Sequence, residues 1–338
     1  MPAYNAASDV HHPQKGHRLE DIPAHDPFVL TDPRQQLYYL YTGGSPEWNG
    51  MDRYGVLVYR SNDLSEWEGP YEVFAIPDDV WAHPQHGAWA PEVHEYEGRY
   101  YLFVTLHNNE RALAGEPVHG YSRHWRGTVI AVSDSPTGPF ELMHRHAPVL
   151  PETMMTLDGT LYRDPSGAPW MVYCHEWIQT IDGTIEAVRL TEDLSAAIGE
   201  PIHLFSASSA SWIRQDDTVW TQPTAVETAS VQQDQEIPVY VSDGCQLYRT
   251  SGGELIMLWS SYEADSYVQT IARSLTGELT GPWEQLEPLI REDSGHGMLF
   301  RTLAGDWMLI LHRPFRMPDS RCVLYEIEDT GNLFRIKK

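Results

Sequence analysis

The sequence predicts an all-β fold, a five-bladed β-propeller, and three observations lead to this prediction. The 338 residues include 41% hydrophobic and 11% aromatic residues, which is typical of a globular protein with a sizeable core. A pair of short strand patterns joined by a turn recurs along the chain, and no long helical period separates the copies. Five similar units favour blades arranged around an axis. The copies begin at Asp26, Ala90, Asp158, Asp243 and Gly297.

A second pattern follows most copies and supplies a third strand, a turn and an outer fourth strand. A β-sandwich or a β-helix also contains many short strands, but the paired order of the motifs favours four-stranded blades. We therefore predict a flexible arm over residues 1–20 and a single propeller domain over residues 21–338. Residues 106–127 and 205–238 break the repeat and are predicted as surface loops, which often shape binding sites. The second pattern starts at Gly55, Gly127, Thr184 and Val268.

The charge balance excludes some classes of partner. Lysine and arginine total 23 against 48 acidic residues, a formal net charge of -25, so the surface field repels phosphate backbones and anionic membranes. Neither nucleic acid nor a membrane is expected as a partner. The N-terminal residues carry no apolar segment behind basic ones, and nowhere do 18 apolar residues run together. These features predict a cytoplasmic protein.

Three of the five copies open with an aspartate, namely Asp26, Asp158 and Asp243. A single aspartate before a strand is most often a turn former. In a propeller, however, the first strands of the blades converge on one axis, so these three side chains are predicted to meet. Carboxylates held close together repel one another, and their pKa values separate, leaving one group protonated as an acid and another ionised as a base. The pattern favours acid and base catalysis.

Five motifs around these positions resemble glycoside hydrolase family 43 in their order and spacing, and the resemblance runs from about residue 21 to residue 327. Members of that family are five-bladed propellers that invert the anomeric centre, and most act on α-L-arabinofuranosides or β-D-xylosides. The resemblance therefore implies a glycosidase. The motifs are AHDPF around Asp26, WAPEVH around Glu92, LDGTLY around Asp158, SDGCQLY around Asp243 and GHGMLFRT around His296.

The resemblance also implies roles for the aspartates. Asp26 matches the general base, and Asp158 matches the residue that orients the acid and tunes its pKa. The family's usual acid is a glutamate in an E-G-P motif, whereas this chain has Asp243 followed by glycine and cysteine. A shorter acid still protonates a leaving group if the backbone or substrate moves inward, so Asp243 is the predicted acid. Glu176 and Glu186 are the alternatives.

Further residues are predicted to bind the sugar. Sugar rings stack their C–H faces on aromatic side chains, so Trp89 and Trp177, each beside a predicted site residue, are candidate walls of the pocket. Glu92 is interpreted either as an acceptor for a substrate hydroxyl or as a structural carboxylate. The predicted substrate-binding residues are His25, Trp89, Glu92, Glu176, Trp177 and Arg313.

A metal ion is implied by the resemblance alone. His296 matches a histidine that, in many relatives, faces a calcium ion in the axial channel. Calcium prefers oxygen ligands, so a histidine by itself does not indicate it. The expected calcium has a structural or electrostatic role, and no organic cofactor is expected.

The predicted function is an inverting, exo-acting glycosidase that releases terminal pentose from small plant-type oligosaccharides, with α-L-arabinofuranosidase as the leading activity. β-D-Xylosidase and β-D-galactofuranosidase activities remain open, because loops rather than blade motifs distinguish these sugars. A carbohydrate-binding propeller without catalysis is the alternative from a different class. It is suggested by the aspartate at the acid position and opposed by the retention of Asp26 and Asp158.

Overall fold

The computed structural model describes residues 14–213 and 239–337. In these residues the chain forms five antiparallel sheets, with only two short α-helices, α1 (Pro46–Asn49) and α2 (Trp177–Thr180). The sheets are the five blades of a β-propeller, which confirms the predicted fold class. None of the helices among the described residues is long and apolar enough to cross a membrane.

Each blade is a run of strands that are consecutive in sequence, and the first three strands of the repeat follow the predicted order. Blade I adds an outer fifth strand. Its strands are β1 (Gln14–His17), β2 (Phe28–Asp32), β3 (Leu37–Gly44), β4 (Gly55–Ser61) and β5 (Trp67–Ala75). Blade II contains β6 (Ala88–Tyr96), β7 (Arg99–Ala112), β8 (His124–Ser133) and β9 (Glu141–Leu142).

The remaining blades have four strands each. Blade III contains β10 (Thr156–Arg163), β11 (Pro169–His175), β12 (Thr184–Leu190) and β13 (Ala197–Ser206). Blade IV contains β14 (Asp243–Arg249), β15 (Leu255–Glu263), β16 (Ser266–Ser274) and β17 (Trp283–Gln285). Blade V contains β18 (Gly295–Arg301), β19 (Trp307–Arg313), β20 (Arg321–Asp329) and β21 (Phe334–Ile336). The first strands β2, β6, β10, β14 and β18 contact one another and surround the axis.

Part of the segment predicted as a flexible arm is a strand. Residues 1–13 lie outside the described residues, but Gln14–His17 forms β1 and pairs with β5 at the outer edge of blade I. An unpaired edge strand offers backbone donors and acceptors to any extended neighbour, which accounts for the pairing.

The first of the two predicted loops consists largely of strand. Residues 106–112 continue β7 and residues 124–127 begin β8, because backbone pairing continues from Leu106 opposite Gly127 to His107 opposite Arg126. Polar sequence in this segment concealed an extension of the blade II hairpin. Of the second predicted loop, residues 214–238 lie outside the described residues.

The ring closes by packing between blade V and blade I. No strand of the described chain is shared between the first and last blades. Met298 and Phe300 of β18 lie in the same buried cluster as Tyr38 of β3. The Thr31 hydroxyl donates a hydrogen bond to the carbonyl of Arg301 at 2.6 Å across this joint. Side-chain packing and individual hydrogen bonds therefore hold the joint together.

Each blade has one residue near the start of its first strand in the left-handed backbone region. In the last four blades this residue belongs to a β-bulge that shifts the register of the first strand. The register places Gly244, and not Asp243, at the position equivalent to Asp26 and Asp158. The prediction that the three aspartates are equivalent is wrong, because the register shift begins at Leu157 in one blade and at Asp243 in the next, which places Asp243 one residue before the position of Asp158. The left-handed residues are Asp26 (φ 49°), Ala90 (46°), Asp158 (54°), Gly244 (59°) and His296 (49°).

Candidate active site

The three predicted catalytic aspartates come together at one end of the axis. The Nδ1 atom of His296 lies 3.2 Å from Asp26 Oδ1 and 3.9 Å from Asp158 Oδ2. The backbone N–H of Gly244 donates to Asp158 Oδ2 at 3.1 Å, which brings the neighbouring Asp243 to the same place. The blade repeat thus assembles these carboxyl groups from three separate blades.

Asp26 lies among three histidines. The Nδ1 atom of His25 is 3.0 Å from Asp26 Oδ1, and the Nε2 atom of His25 lies 2.9 Å from the carbonyl of Phe315. The backbone N–H of Asp26 donates to Nδ1 of His312 at 3.2 Å. His312, which the sequence analysis missed, is fully buried and fixes the backbone of the aspartate.

These contacts keep Asp26 ionised. Burial raises the pKa of Asp26, but the charges of His25 and His296 outweigh it and hold that pKa well below its usual value of 3.8. Burial lowers the pKa of His25, yet the neighbouring Asp26 carboxylate raises it above 6.5. Burial lowers the pKa of His312 to about 3, so this ring is neutral and accepts a hydrogen bond. The site therefore stabilises a carboxylate at Asp26.

The other two aspartates titrate in the opposite direction. Burial, opposed by His296 and supported by Asp26, raises the pKa of Asp158 to about 6. Burial and then the charge of Asp158 raise the pKa of Asp243 well above 3.8. The Tyr267 hydroxyl, also missed by the sequence analysis, donates to Asp243 Oδ2 at 3.0 Å. One ionised and one protonated carboxyl group thus lie in one site, as acid and base catalysis requires.

The two predicted tryptophan walls differ in exposure. Trp89 is 42% exposed, and its ring packs on His107 with 4.0 Å between centroids. Trp177 is only 6% exposed, because Tyr121 of the blade II hairpin covers it with a ring centroid 5.7 Å away. Trp89 is therefore available for sugar stacking, whereas Trp177 packs beneath the hairpin.

Glu92 lies below the surface of the site. It is 3% exposed, its Oε2 lies 2.8 Å from Nε2 of His94, and its Oε1 accepts a hydrogen bond from the Gln246 amide. Because protein groups bind both oxygens, the structure favours the structural interpretation over contact with a sugar hydroxyl.

Glu176 lies beside the aspartates. It follows β11 directly as the N-cap of α2, is 5% exposed and forms an ion pair with Arg126. Burial raises the pKa values of Asp158 and Asp243 most, and the charge of Glu176 raises them further by a smaller amount. Glu186, the other alternative acid, instead accepts a hydrogen bond from the Tyr173 hydroxyl at 2.7 Å.

Arg313 is not brought to the aspartates. It ends β19 next to His312, and successive strand residues face opposite sides, so its side chain turns away from Asp26. Its guanidinium contacts Glu292 and, at 3.2 Å, the Tyr325 hydroxyl. The predicted substrate contact of Arg313 has no support in this geometry.

The surroundings of His296 were tested for the implied calcium ion. A cavity of about 10 Å³ lies between the first strands and is lined by Asp26, Glu92, Gln246 and His296, among others. This volume holds about one water molecule, whereas calcium takes about six to eight oxygen ligands. Both oxygens of Glu92 are already bonded. The residues as placed do not fit a hydrated calcium ion, which stays a prediction from the resemblance.

Two groups of potential metal ligands occur among the described residues, namely His25 with Asp26 and His312, and His83 with His86 and Glu110. In each group the two imidazole rings stack at 3.9 Å with an interplanar angle of 21°. The potential ligand atoms of each group lie within 4.8 Å of one another.

A propeller with an ionised and a protonated carboxyl group beside an exposed tryptophan has the features of a glycoside hydrolase site. The family model of the glycosyl hydrolases family 43 matches residues 22–324. The chain belongs to this family, which confirms the resemblance identified from the five motifs.

Similar proteins of known structure support this assignment. The chain is 35% identical to an endo-arabinase from Bacteroides thetaiotaomicron VPI-5482, with a TM-score of 0.76 over 95% of this chain and 100% of that one. A thermostable family-43 glycoside hydrolase is 19% identical, with a TM-score of 0.70 over 94% of this chain and 93% of that one, which shows the fold alone.

A curated relative matches over a shorter region. The chain is 26% identical over 195 residues to a probable arabinan endo-1,5-alpha-L-arabinosidase D from Emericella nidulans. The match covers 54% of this chain and 42% of the relative, so it spans less than half the length of that protein.

Proposed function

We propose that the protein hydrolyses α-L-arabinofuranosyl linkages of arabinan-type glycans with inversion of configuration. The observation that carries this proposal is the opposite titration of Asp26 and Asp243 within one site. The likeness to a Bacteroides protein named an endo-arabinase supports arabinose as the sugar.

In the proposed mechanism, Asp26 is the general base and Asp243 is the general acid. Asp26 accepts a proton from the water that attacks the anomeric carbon, while Asp243 gives its proton to the leaving oxygen on the other side of the bond. Asp158 accepts the N–H of Gly244 and so holds the backbone next to the acid. Its charge also disfavours ionisation of Asp243, which keeps the acid protonated.

Two modes of cleavage follow from different observations. The sequence analysis predicts release of terminal arabinose from short oligosaccharides, and the exo mode remains the proposal on that basis. Internal cleavage is the second candidate, because the 35% identical Bacteroides protein and the fungal relative are both named for an endo activity. The two modes differ in their first products.

The test follows hydrolysis of linear α-1,5-arabinan and a panel of aryl glycosides by proton NMR. The panel contains α-L-arabinofuranoside, β-D-xyloside and β-D-galactofuranoside. We expect an inverted first product from the arabinose substrates and loss of turnover in Asp26→Asn. Monomeric arabinose from the start indicates the exo mode, and oligomers with a rapid fall in viscosity indicate the endo mode.

Other outcomes decide against the proposal. If the protein hydrolyses only the xyloside or only the galactofuranoside, that sugar is its substrate and arabinose is not. Binding of arabinan without hydrolysis by the wild type supports the carbohydrate-binding alternative. A first product with retained configuration contradicts the roles of Asp26 and Asp243.

A further inference from the structure

Arg126 is a buried cation that lies between the exposed ring of Trp89 and the carboxylate of Glu176. Arg126 is 6% exposed and forms an ion pair with Glu176. Its Nε–H donates to Nδ1 of His107 at 3.2 Å, and its guanidinium carbon lies 4.8 Å from the centre of the Trp89 ring. We call these four residues the Arg126 cluster. A single guanidinium thus contacts an anion, an imidazole and an aromatic face.

The blade II hairpin brings the cluster together. Residues 106–112 and 124–127 extend the pairing of β7 and β8, which places His107 opposite Arg126. Burial, and then the charge of Arg126, lower the pKa of His107 well below 6.5. The ring is therefore neutral, and its Nδ1 accepts the arginine N–H. Glu176, which pairs with Arg126, comes from blade III, directly after β11.

The cluster is connected to the aspartates on two sides. Trp89 pairs in the sheet with Thr105, whose hydroxyl accepts the backbone N–H of Asp158 at 2.9 Å. On the other side, the charge of Glu176 acts on Asp243. Arg126 is the residue that joins these two routes.

We propose that Arg126 is a positioning residue that fixes the ring of Trp89 relative to the acid Asp243. The inference rests on the proposed function, because it concerns a sugar stacked on Trp89 at the moment its leaving oxygen is protonated. Arg126 does not contact the reacting atoms itself; it acts through Trp89 and Glu176.

The chemistry of the side chain explains why arginine is needed. A guanidinium is planar and presents several donors in a fixed fork while stacking on an aromatic face, whereas a lysine ammonium is a point charge on a flexible stem. Lysine at position 126 retains the charge opposite Glu176 but not all three contacts. Misplacement of a substrate by about 1 Å costs about 100-fold in rate.

The test compares Arg126→Lys and Arg126→Met with a matched control, Arg123→Lys. Arg123 lies in the same hairpin and donates to the carbonyl of Ile178 at 3.1 Å, so it also links the hairpin to α2. We expect kcat/KM on arabinan to fall about 10- to 100-fold in Arg126→Lys, with a higher KM, and further in Arg126→Met. Arg123→Lys should stay within about twofold of the wild type. Equal losses in Arg126→Lys and Arg123→Lys, at equal melting temperatures, overturn the proposal.

A second measurement needs no turnover. Carbon-13 carboxyl NMR follows the titration of Asp243 in the wild type, Glu176→Gln and Arg123→Lys. Burial, Asp158, His296, Glu176 and Asp26 set this pKa. Removing the charge of Glu176 should lower the titration midpoint, and Arg123→Lys should leave it unchanged. If the wild type hydrolyses no arabinan, the proposed function fails, and a lowered midpoint still supports the coupling between Glu176 of the cluster and Asp243. An unchanged midpoint in Glu176→Gln contradicts it.

Discussion

At the scale of single residues, the site separates two aspartates by their neighbours. Imidazole rings contact Asp26 and favour its carboxylate, whereas Asp243 is buried beside another acid and near Glu176. Identical side chains therefore adopt different protonation states, because burial disfavours a carboxylate and a nearby cation favours it. The proposed roles of base and acid therefore follow from position rather than from residue type.

The acid role of Asp243 is expected to depend on the leaving group. In Asp243→Asn, kcat/KM should fall about 100- to 10,000-fold for arabinan, whose leaving oxygen needs a proton. It should fall far less for an aryl arabinoside with an acidic phenol, which departs without one. Initial rates on both substrates measure the difference.

Asp26→Asn is the matched control for this prediction, because loss of the base slows the reaction with either leaving group. The fall of wild-type kcat/KM at alkaline pH should also disappear in Asp243→Asn, since no proton remains to be lost there. Equal losses of kcat/KM on both substrates in Asp243→Asn would show that another residue is the acid. Glu176 would then be the next candidate.

Sequence reasoning found the aspartates and missed the groups that control them. Asp26, Asp158 and Asp243 are visible because they recur at blade starts. His312 and Arg126 are not visible in the sequence. His312 contacts Asp26 from 286 positions further along the chain, and Arg126 faces His107 only because the β7–β8 hairpin is longer than the repeat indicates. Burial, which distinguishes Trp89 from Trp177, also depends on a hairpin that the sequence alone presented as a loop.

At the scale of elements, the left-handed residue at each blade start is the repeated device of the fold. A bulge adds one residue to the first strand and redirects the side chains around it. Asp26 and Asp158 occupy the left-handed position itself, while Asp243 and Trp89 precede it. Repeat counting alone could not detect this offset, because the same short motif contains both positions.

The left-handed position carries a testable cost. Ala90 has φ 46° and Ala88 lies in ordinary strand backbone two residues earlier; both are 3% exposed. A left-handed L-residue costs about 1–2 kcal/mol, which glycine avoids. Ala88→Gly should therefore lower the free energy of unfolding by about 1–2 kcal/mol more than Ala90→Gly.

Urea unfolding followed by tryptophan fluorescence measures both variants. Both substitutions remove a buried methyl group and raise the entropy of the unfolded chain. The difference between their free energies of unfolding therefore measures the cost of the left-handed backbone at Ala90. Equal destabilisation would mean that the strain at Ala90 is relieved by its surroundings.

At the scale of the whole molecule, five blades form a ring whose last joint contains the same kind of hydrogen bond as the joint between blades IV and V. The hydroxyl of Tyr38 accepts the backbone N–H of Leu303 at 2.7 Å between blades I and V. The hydroxyl of Tyr248 accepts that of Leu299 at 2.8 Å between blades IV and V. A tyrosine hydroxyl thus accepts a backbone N–H both at the closing joint and at the joint between blades IV and V.

Removing each hydroxyl tests whether the ring unfolds as one unit. Tyr38→Phe and Tyr248→Phe each leave a backbone donor without its acceptor, which costs about 1–3 kcal/mol. In a single cooperative ring, both variants should shift one urea transition by similar amounts with an unchanged slope. A second transition confined to Tyr38→Phe would show that the closing joint opens first.

The contiguity of each blade has a consequence for how such a chain can change over generations. Because every sheet is made from one uninterrupted stretch of sequence, the connections between blades are the places where a gene can be cut without dividing a sheet. A duplication or deletion bounded by two such connections adds or removes whole blades, and the proposed catalytic aspartates, drawn from three of them, limit which blades can be lost.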